Sequence, residues 1–136
     1  MFEYVYNFFR DNNLISLEQS GFAPGDSTVY LLAHLYHIFT ETIDKEKDIR
    51  IVFSDVSKAF DRVWHTGLLA KLKKIGITSK LLDWIKDYLN ERKQRVVING
   101  QTSSWGSVVA GVPQGSVLGP LLFFTYINDI TEGLFI

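Results

Sequence analysis

The dipeptide Asn99-Gly100 constrains this chain more than any other short feature. Both residues tolerate the positive φ that a two-residue hairpin turn needs, so they predict an antiparallel hairpin with arms Gln94–Ile98 and Ser103–Val109. Other segments have a helical period. Phe2–Asn12 reads as a helix. A second helix, capped by Asp26 or Ser27, runs to about Lys45 with Leu32, Tyr36, Phe39 and Ile43 as its apolar stripe. Two more cover about 66–75 and 79–91 and are separated by Gly76; in the second, Leu81, Leu82, Ile85, Tyr88 and Leu89 form the stripe. A last helix, Leu118–Ile130, carries Pro120 in its first turn, where a missing N–H costs little. Leu14–Gly25 reads as a loop broken by Gly21, Pro24 and Gly25, residues 44–48 as a charged connector, and Ser57–Val63 as a short turn or helix. The continuous apolar run Ile51-Val52-Phe53 predicts a central strand over Ile49–Val56, covered on both faces. Together these elements predict an α+β domain.

Aromatic residues make up 14% and hydrophobic residues 46% of the 136 positions, enough for a packed core. With no cysteine, disulfides, Cys-based zinc sites and thiol chemistry are excluded, and a reducing, intracellular setting is the default expectation. The most apolar stretch, Val117–Ile127, is too short to span a bilayer, and residues 1–10 lack the pattern of a signal peptide, so no membrane partner is expected. Net charge is −1, but it is unevenly spread. Residues 57–100 hold ten of the fourteen basic side chains and four acids, a net +6; the remainder has four basic and eleven acidic side chains, a net −7. The basic middle could face phosphates, or it could be the solvated faces of two surface helices.

Two segments could carry chemistry. An aspartate at the end of a buried strand must be solvated, paired or metal-bound, and Asp55 stands at such a predicted end. Magnesium takes hard oxygen ligands, often one or two carboxylates together with substrate phosphates, so Asp55 suits it; a strand-end Asp capping the next turn is an equal alternative. Asp61, six residues on, reads as structural. In Gly111–Pro120, three glycines and two prolines in ten residues fix an unusual backbone path into a helix N-terminus. There Gln114 could present its amide to a base edge or a sugar; a rigid connector is the alternative. His34, His37 and His65 do not form a metal set. Neither a nucleophile elbow nor a phosphate-binding Gly-x-x-x-x-Gly-Lys-Ser/Thr motif occurs.

From about Leu14 to Asp129, the segments QSGFAPGDSTV, VFSDVSKAFDRVWHTGLLAKLKKIGI, YLNERKQRVVINGQTSSW and GVPQGSVLGPLLFFTYINDI resemble, in this order, the reverse transcriptases of non-LTR (LINE-type) retrotransposons. The second and fourth are similar to that family's motifs A and B; group II intron maturases are a poorer match. The resemblance implies a partial right-hand polymerase, with about 1–48 as fingers-side helices and about 49–136 as palm, its helices packed on a small incomplete antiparallel sheet. It implies an RNA-directed DNA polymerase working by two-metal nucleotidyl transfer on an RNA template, a DNA primer and deoxynucleotide triphosphates. Asp55 and the backbone carbonyl of Val56 would hold Mg²⁺, with Asp55 catalytic. Phe60, Gln114 and Gly115 would contact the nucleotide, and Lys58, Arg92 and Arg95 would contact nucleic acid. The sequence departs from the family at Ala23 and Asp26, where basic residues are usual, and it contains no Asp-Asp pair, the core of the family's second acidic motif. The expectation is therefore a fragment truncated at both ends and inactive alone. The alternatives are a non-catalytic nucleic-acid-binding remnant and an unstable translation product.

Overall fold

The computed structural model describes residues 2–12, 14–16, 19–22 and 25–130. Ala23 and Pro24, singled out above, lie outside the described residues. Helix α1 spans Phe2–Asp11, α2 Thr28–Asp44, α3 His65–Lys74, α4 Ser79–Leu89 and α5 Leu118–Ile127, with a single 3₁₀ turn at Ala59–Arg62 ahead of α3. Short strands β1 Lys93–Gln94, β2 Val97–Ile98, β3 Gln101–Thr102 and β4 Gly106–Ser107 lie between α4 and α5. The chain is α+β, but its core is built by the helices together with the loop residues Val63, Ile77 and Val112, and no strand residue enters it.

Helix α3 packs on α4 and α5, and α1 packs on α5. Phe9, Val63, Leu68, Leu72, Ile85, Leu89, Leu122 and Phe124 are buried where these helices meet. Burying each of these apolar side chains stabilises by roughly 1.5–3 kcal/mol relative to leaving it in water. The spacing of Leu68 and Leu72, and of Ile85 and Leu89, is the one-turn period that puts both members of a pair on one face. In α4 the predicted stripe holds at Ile85 and Leu89, while Leu81, Leu82 and Tyr88 are half-buried. Gly76, at φ +98°, ends the α3 segment, and the Ile77 N–H returns to the Leu72 carbonyl at 2.9 Å.

Side chains fasten the C-terminal end of α5. The Lys71 ammonium of α3 donates to the Tyr126 carbonyl at 2.5 Å and to the Asp129 carboxylate, placing a cation at the negative end of the helix. The Asn128 amide bonds both ways across the chain: its oxygen accepts from the Ser16 N–H at 3.0 Å and its nitrogen donates to the Leu14 carbonyl at 2.7 Å.

The hairpin forms as predicted, with Asn99 at φ +49° and Gly100 at φ +77° between Ile98 and Gln101. Its register changes midway. Lys93 faces Ser107 and Gln94 faces Gly106, yet Val97 faces Thr102 and Ile98 faces Gln101, so the returning arm carries one extra residue. This is a bulge near Ser104. At the bulge the Ser103 N–H donates to the Val96 carbonyl at 3.0 Å, and the Ser103 hydroxyl stands in for a carbonyl by accepting from the Val96 N–H at 3.0 Å. All strand residues are exposed, so the expected packing of helices onto this sheet is not present.

Two further expectations are corrected. Residues 47–56 form no strand: the run is irregular, with Val52 89% and Phe53 83% exposed. An apolar run becomes a strand only when another strand satisfies its N–H and C=O groups, and no partner pairs with it among the described residues. Helix α2 is capped as expected, the Ser27 hydroxyl accepting from the Tyr30 N–H at 3.2 Å. None of its residues is buried, however, and Leu32, Tyr36 and Ile43 of the predicted stripe are exposed. Its local helical signals suffice for the helix, but none of its apolar positions is buried, Leu35 and Phe39 being covered only in part.

Candidate active-site cleft

The segments Phe60–His65 and Gly111–Gln114 meet through a strip of backbone-centred hydrogen bonds. The Val112 N–H donates to the Phe60 carbonyl and the Gly111 N–H to the Val63 carbonyl, each at 2.9 Å. The His65 Nε2–H donates to the Gly111 carbonyl at 2.7 Å, which fixes the proton on Nε2. The strip ends with the Gln114 amide donating to the Asp61 carboxylate at 3.1 Å. Val63 and Val112 are buried inside the strip.

Gly111 permits this approach. It sits at φ +90°, and a Cβ there would lie 2.8 Å from the Asp61 Cα and 2.9 Å from its carbonyl oxygen. The loop then turns onto α5 through Ser116, whose hydroxyl donates to the Pro113 carbonyl at 2.8 Å and accepts from the Gly119 N–H at 2.9 Å. A Cβ at Gly119 would meet the Pro113 oxygen at 2.4 Å. The unusual glycine and proline content of this segment thus serves a close loop-to-helix seal.

Two adjoining hollows result, and Gln114 borders both. Phe60, Gln114, Gly115 and Pro120 line the smaller. The Phe60 ring is held by stacking on Phe123, centroids 4.4 Å apart, and by an edge contact with Phe22 at 5.8 Å. The larger is a groove bordered by Lys58, Asp61, Arg92, Lys93 and Gln114, so three cations and one acid face its space. Lys58 adopts a left-handed conformation at φ +54° just ahead of the 3₁₀ turn.

Phe60, Gln114, Gly115, Lys58 and Arg92 therefore come together. Asp55 and Val56 are exposed and border neither hollow. The Asp55 carboxylate is solvated rather than held by the buried strand end anticipated above, and no cluster of three metal-ligating side chains forms among the described residues. Its carboxylate oxygens and the Val56 carbonyl are hard donors of the kind magnesium takes, and they fit one share of such a site. Arg95 lies elsewhere, its guanidinium 4.6 Å from the Trp105 ring centre. Asp61 is structural, as read from the sequence, but its partner Gln114 was not foreseen, nor were the bonds of His65 and Ser116. Asp61 and His65 act on partners about fifty residues away, which no local pattern marks, whereas Ser116 bonds within its own turn to Pro113 and Gly119.

A family model described as reverse transcriptase (RNA-dependent DNA polymerase) matches residues 3–134. The chain belongs to the reverse transcriptase family. Among its relatives, a probable RNA-directed DNA polymerase from transposon BS of Drosophila melanogaster is 37% identical over 91% of this chain and 14% of that protein. The RNA-directed DNA polymerase from mobile element jockey of the same species is 38% identical over 82% of this chain and 12% of its own length. A retrovirus-related Pol polyprotein from the type-1 element R2 of Nasonia vitripennis is 28% identical over 94% of this chain and 12% of that protein. The chain thus spans about an eighth of the length of these relatives. No solved structure gives a significant match. No described helix is long and apolar enough to cross a membrane.

Proposed function

We propose that this chain is the part of a retrotransposon RNA-directed DNA polymerase that joins the first metal-binding carboxylate to the nucleotide-contacting loop, with residues 1–48 on the fingers side and 49–136 in the palm. The observation that carries the reading is the strip from Phe60–His65 to Gly111–Gln114, which places Phe60, Gln114 and Gly115 around one hollow beside a groove with three cations.

In this reading Asp55 and the Val56 carbonyl would donate oxygens to Mg²⁺, whose chemistry when bound would be to acidify the primer 3′-hydroxyl and to offset charge on the triphosphate. The chain's own residues hold and select. Phe60 packs under the sugar, where a 2′-hydroxyl would clash with its ring. Gln114 and Gly115 contact the incoming deoxynucleotide and the template, while Lys58, Arg92 and Arg95 neutralise backbone phosphates. Gln114 is kept in place by its bond to Asp61, and the Gly111 strip keeps Phe60 at a constant distance from the loop.

One carboxylate cannot hold two divalent ions about 4 Å apart against their repulsion. These 136 residues contain no Asp-Asp pair, so alone they are expected to bind nucleic acid without extending a primer. That is also where the second reading, a non-catalytic nucleic-acid-binding remnant, gains support. The test pairs two measurements on the purified chain: primer extension on an RNA template with Mg²⁺, and salt-dependent binding of an RNA–DNA hybrid. Binding with a clear salt slope and no extension agrees with the proposal. Absence of binding at low salt removes it. In a complete relative, substitution of the aspartate matching Asp55 by alanine abolishes extension if the assigned role is right.

A further inference from the structure

Helix α4 carries a second row that the cleft does not use. Lys80, Trp84, Tyr88 and Arg92 recur every fourth residue, which aligns them along one side of the helix and its immediate extension. Ile85 and Leu89 lie in the core and Tyr88 is half-buried against it, so the row runs along the edge of the buried side and Trp84 is its exposed ring. Trp84 and Tyr88 stack nearly parallel, 9° apart in plane with centroids 5.5 Å apart. Arg92, just past the helix end, folds back so that its guanidinium lies 5.3 Å from the Tyr88 ring centre. Three flat π-systems thus form a ladder, with a cation at each end of the row. Trp84 is 42% exposed even so. The acids of this segment, Asp83, Asp87 and Glu91, each stand three residues on from Lys80, Trp84 and Tyr88 and so border the row on one flank.

We propose that Lys80, Trp84, Tyr88 and Arg92 form a stacking track for single-stranded nucleic acid. Exposed aromatic faces bind unpaired bases irrespective of their identity, and flanking cations meet the phosphates. A duplex keeps its base faces covered, so the row favours a single strand. The row is also continuous with the cleft: Arg92 both covers Tyr88 and borders the groove that holds Lys58 and Gln114. A strand leaving that groove past Arg92 reaches the exposed Trp84 ring, whose plane is held by the covered Tyr88 ring beneath it. Assigning the strand as template rests on the function proposed above; binding to the track needs neither metal nor turnover.

The test is fluorescence anisotropy with labelled oligouridylate and oligothymidylate of about twelve nucleotides, long enough to cover a groove-scale site. Trp84→Ala is expected to weaken binding by roughly 5- to 100-fold, the range for loss of one base–aromatic stack. Trp84→Phe, which keeps a ring, should retain most of the affinity, and Lys80→Gln should flatten the salt dependence. Circular dichroism on each variant checks that α4 is intact. Trp84→Ala binding like the unaltered chain, or Trp84→Phe losing as much as Trp84→Ala, overturns the track. So does a Trp84→Ala effect confined to self-association, which would assign the row to a protein partner. Because extension in a complete relative is read separately, loss of the track leaves the polymerase reading standing, and the converse holds.

Discussion

The Gln114 amide reaches the Asp61 carboxylate at 3.1 Å across fifty-three residues of chain, joining the loop that borders both hollows to the 3₁₀ turn that carries Phe60. Both side chains are exposed, so the bond is in competition with water. A net value of about 0.5–1.5 kcal/mol is expected for it. Asp61→Ala and Gln114→Ala should each lower the urea midpoint modestly, and the double variant should lose less than the two added together. A double-mutant cycle with no coupling would show that the contact does not hold the loop.

Gly111→Ala should cost far more. At φ +90° an L-residue is strained, and its Cβ would stand 2.8 Å from the Asp61 Cα, backbone that cannot swing aside. A loss of about 2 kcal/mol or more is expected, read as a fall in melting temperature. Gly115→Ala is the control: φ is +76° but nothing lies within 4 Å, so only backbone strain of about 1–2 kcal/mol applies. Equal losses at the two positions would remove the steric argument.

The Asp129 carboxyl is held below the usual carboxylate range, first by the hydrogen bond from the Lys71 ammonium and then by the charge of that ammonium, with partial burial opposing. Because the folded value lies below the unfolded one, the contribution is complete above about pH 4 and is lost as pH falls through the depressed folded value. The pair is about a third exposed, so solvent screening keeps its worth near 1 kcal/mol or less. Thermal melts should show an acid-side loss below about pH 4 that is smaller in Asp129→Asn. An unchanged acid limb in that variant would count against the pair.

Phe60 is clamped between Phe123 and Phe22, so its ring has little freedom to yield to a bulkier sugar. In a complete polymerase, Phe60→Val at the matching position should raise ribonucleotide use relative to deoxynucleotide by about tenfold or more, compared as kcat/KM. Unaltered sugar selectivity would remove Phe60 from the role assigned to it.

Local chemistry was readable in advance. Asn99-Gly100, the Ser27 cap, Gly76 and the apolar stripe of α4 each act within a few residues, and each produced the element expected of it. The Gly111–Pro120 segment was legible as constrained, though not as the partner of Phe60–His65. The strand over 49–56 and the stripe of α2 were not realised, because an apolar pattern states only that a surface needs covering and does not supply the cover.

The sequence by itself determined the helices, the hairpin turn and the membership of the reverse transcriptase family, since propensity, capping and ordered motifs are properties of neighbouring residues. Only the tertiary structure decided that Asp61 rather than Asp55 touches Gln114, that α3, α4 and α5 rather than a sheet form the core, and that Arg92 belongs both to the groove and to the α4 ladder. Those are contacts between residues far apart in the chain. Their geometry depends on how closely backbones such as those of Gly111 and Asp61 can approach, a distance that no local pattern encodes.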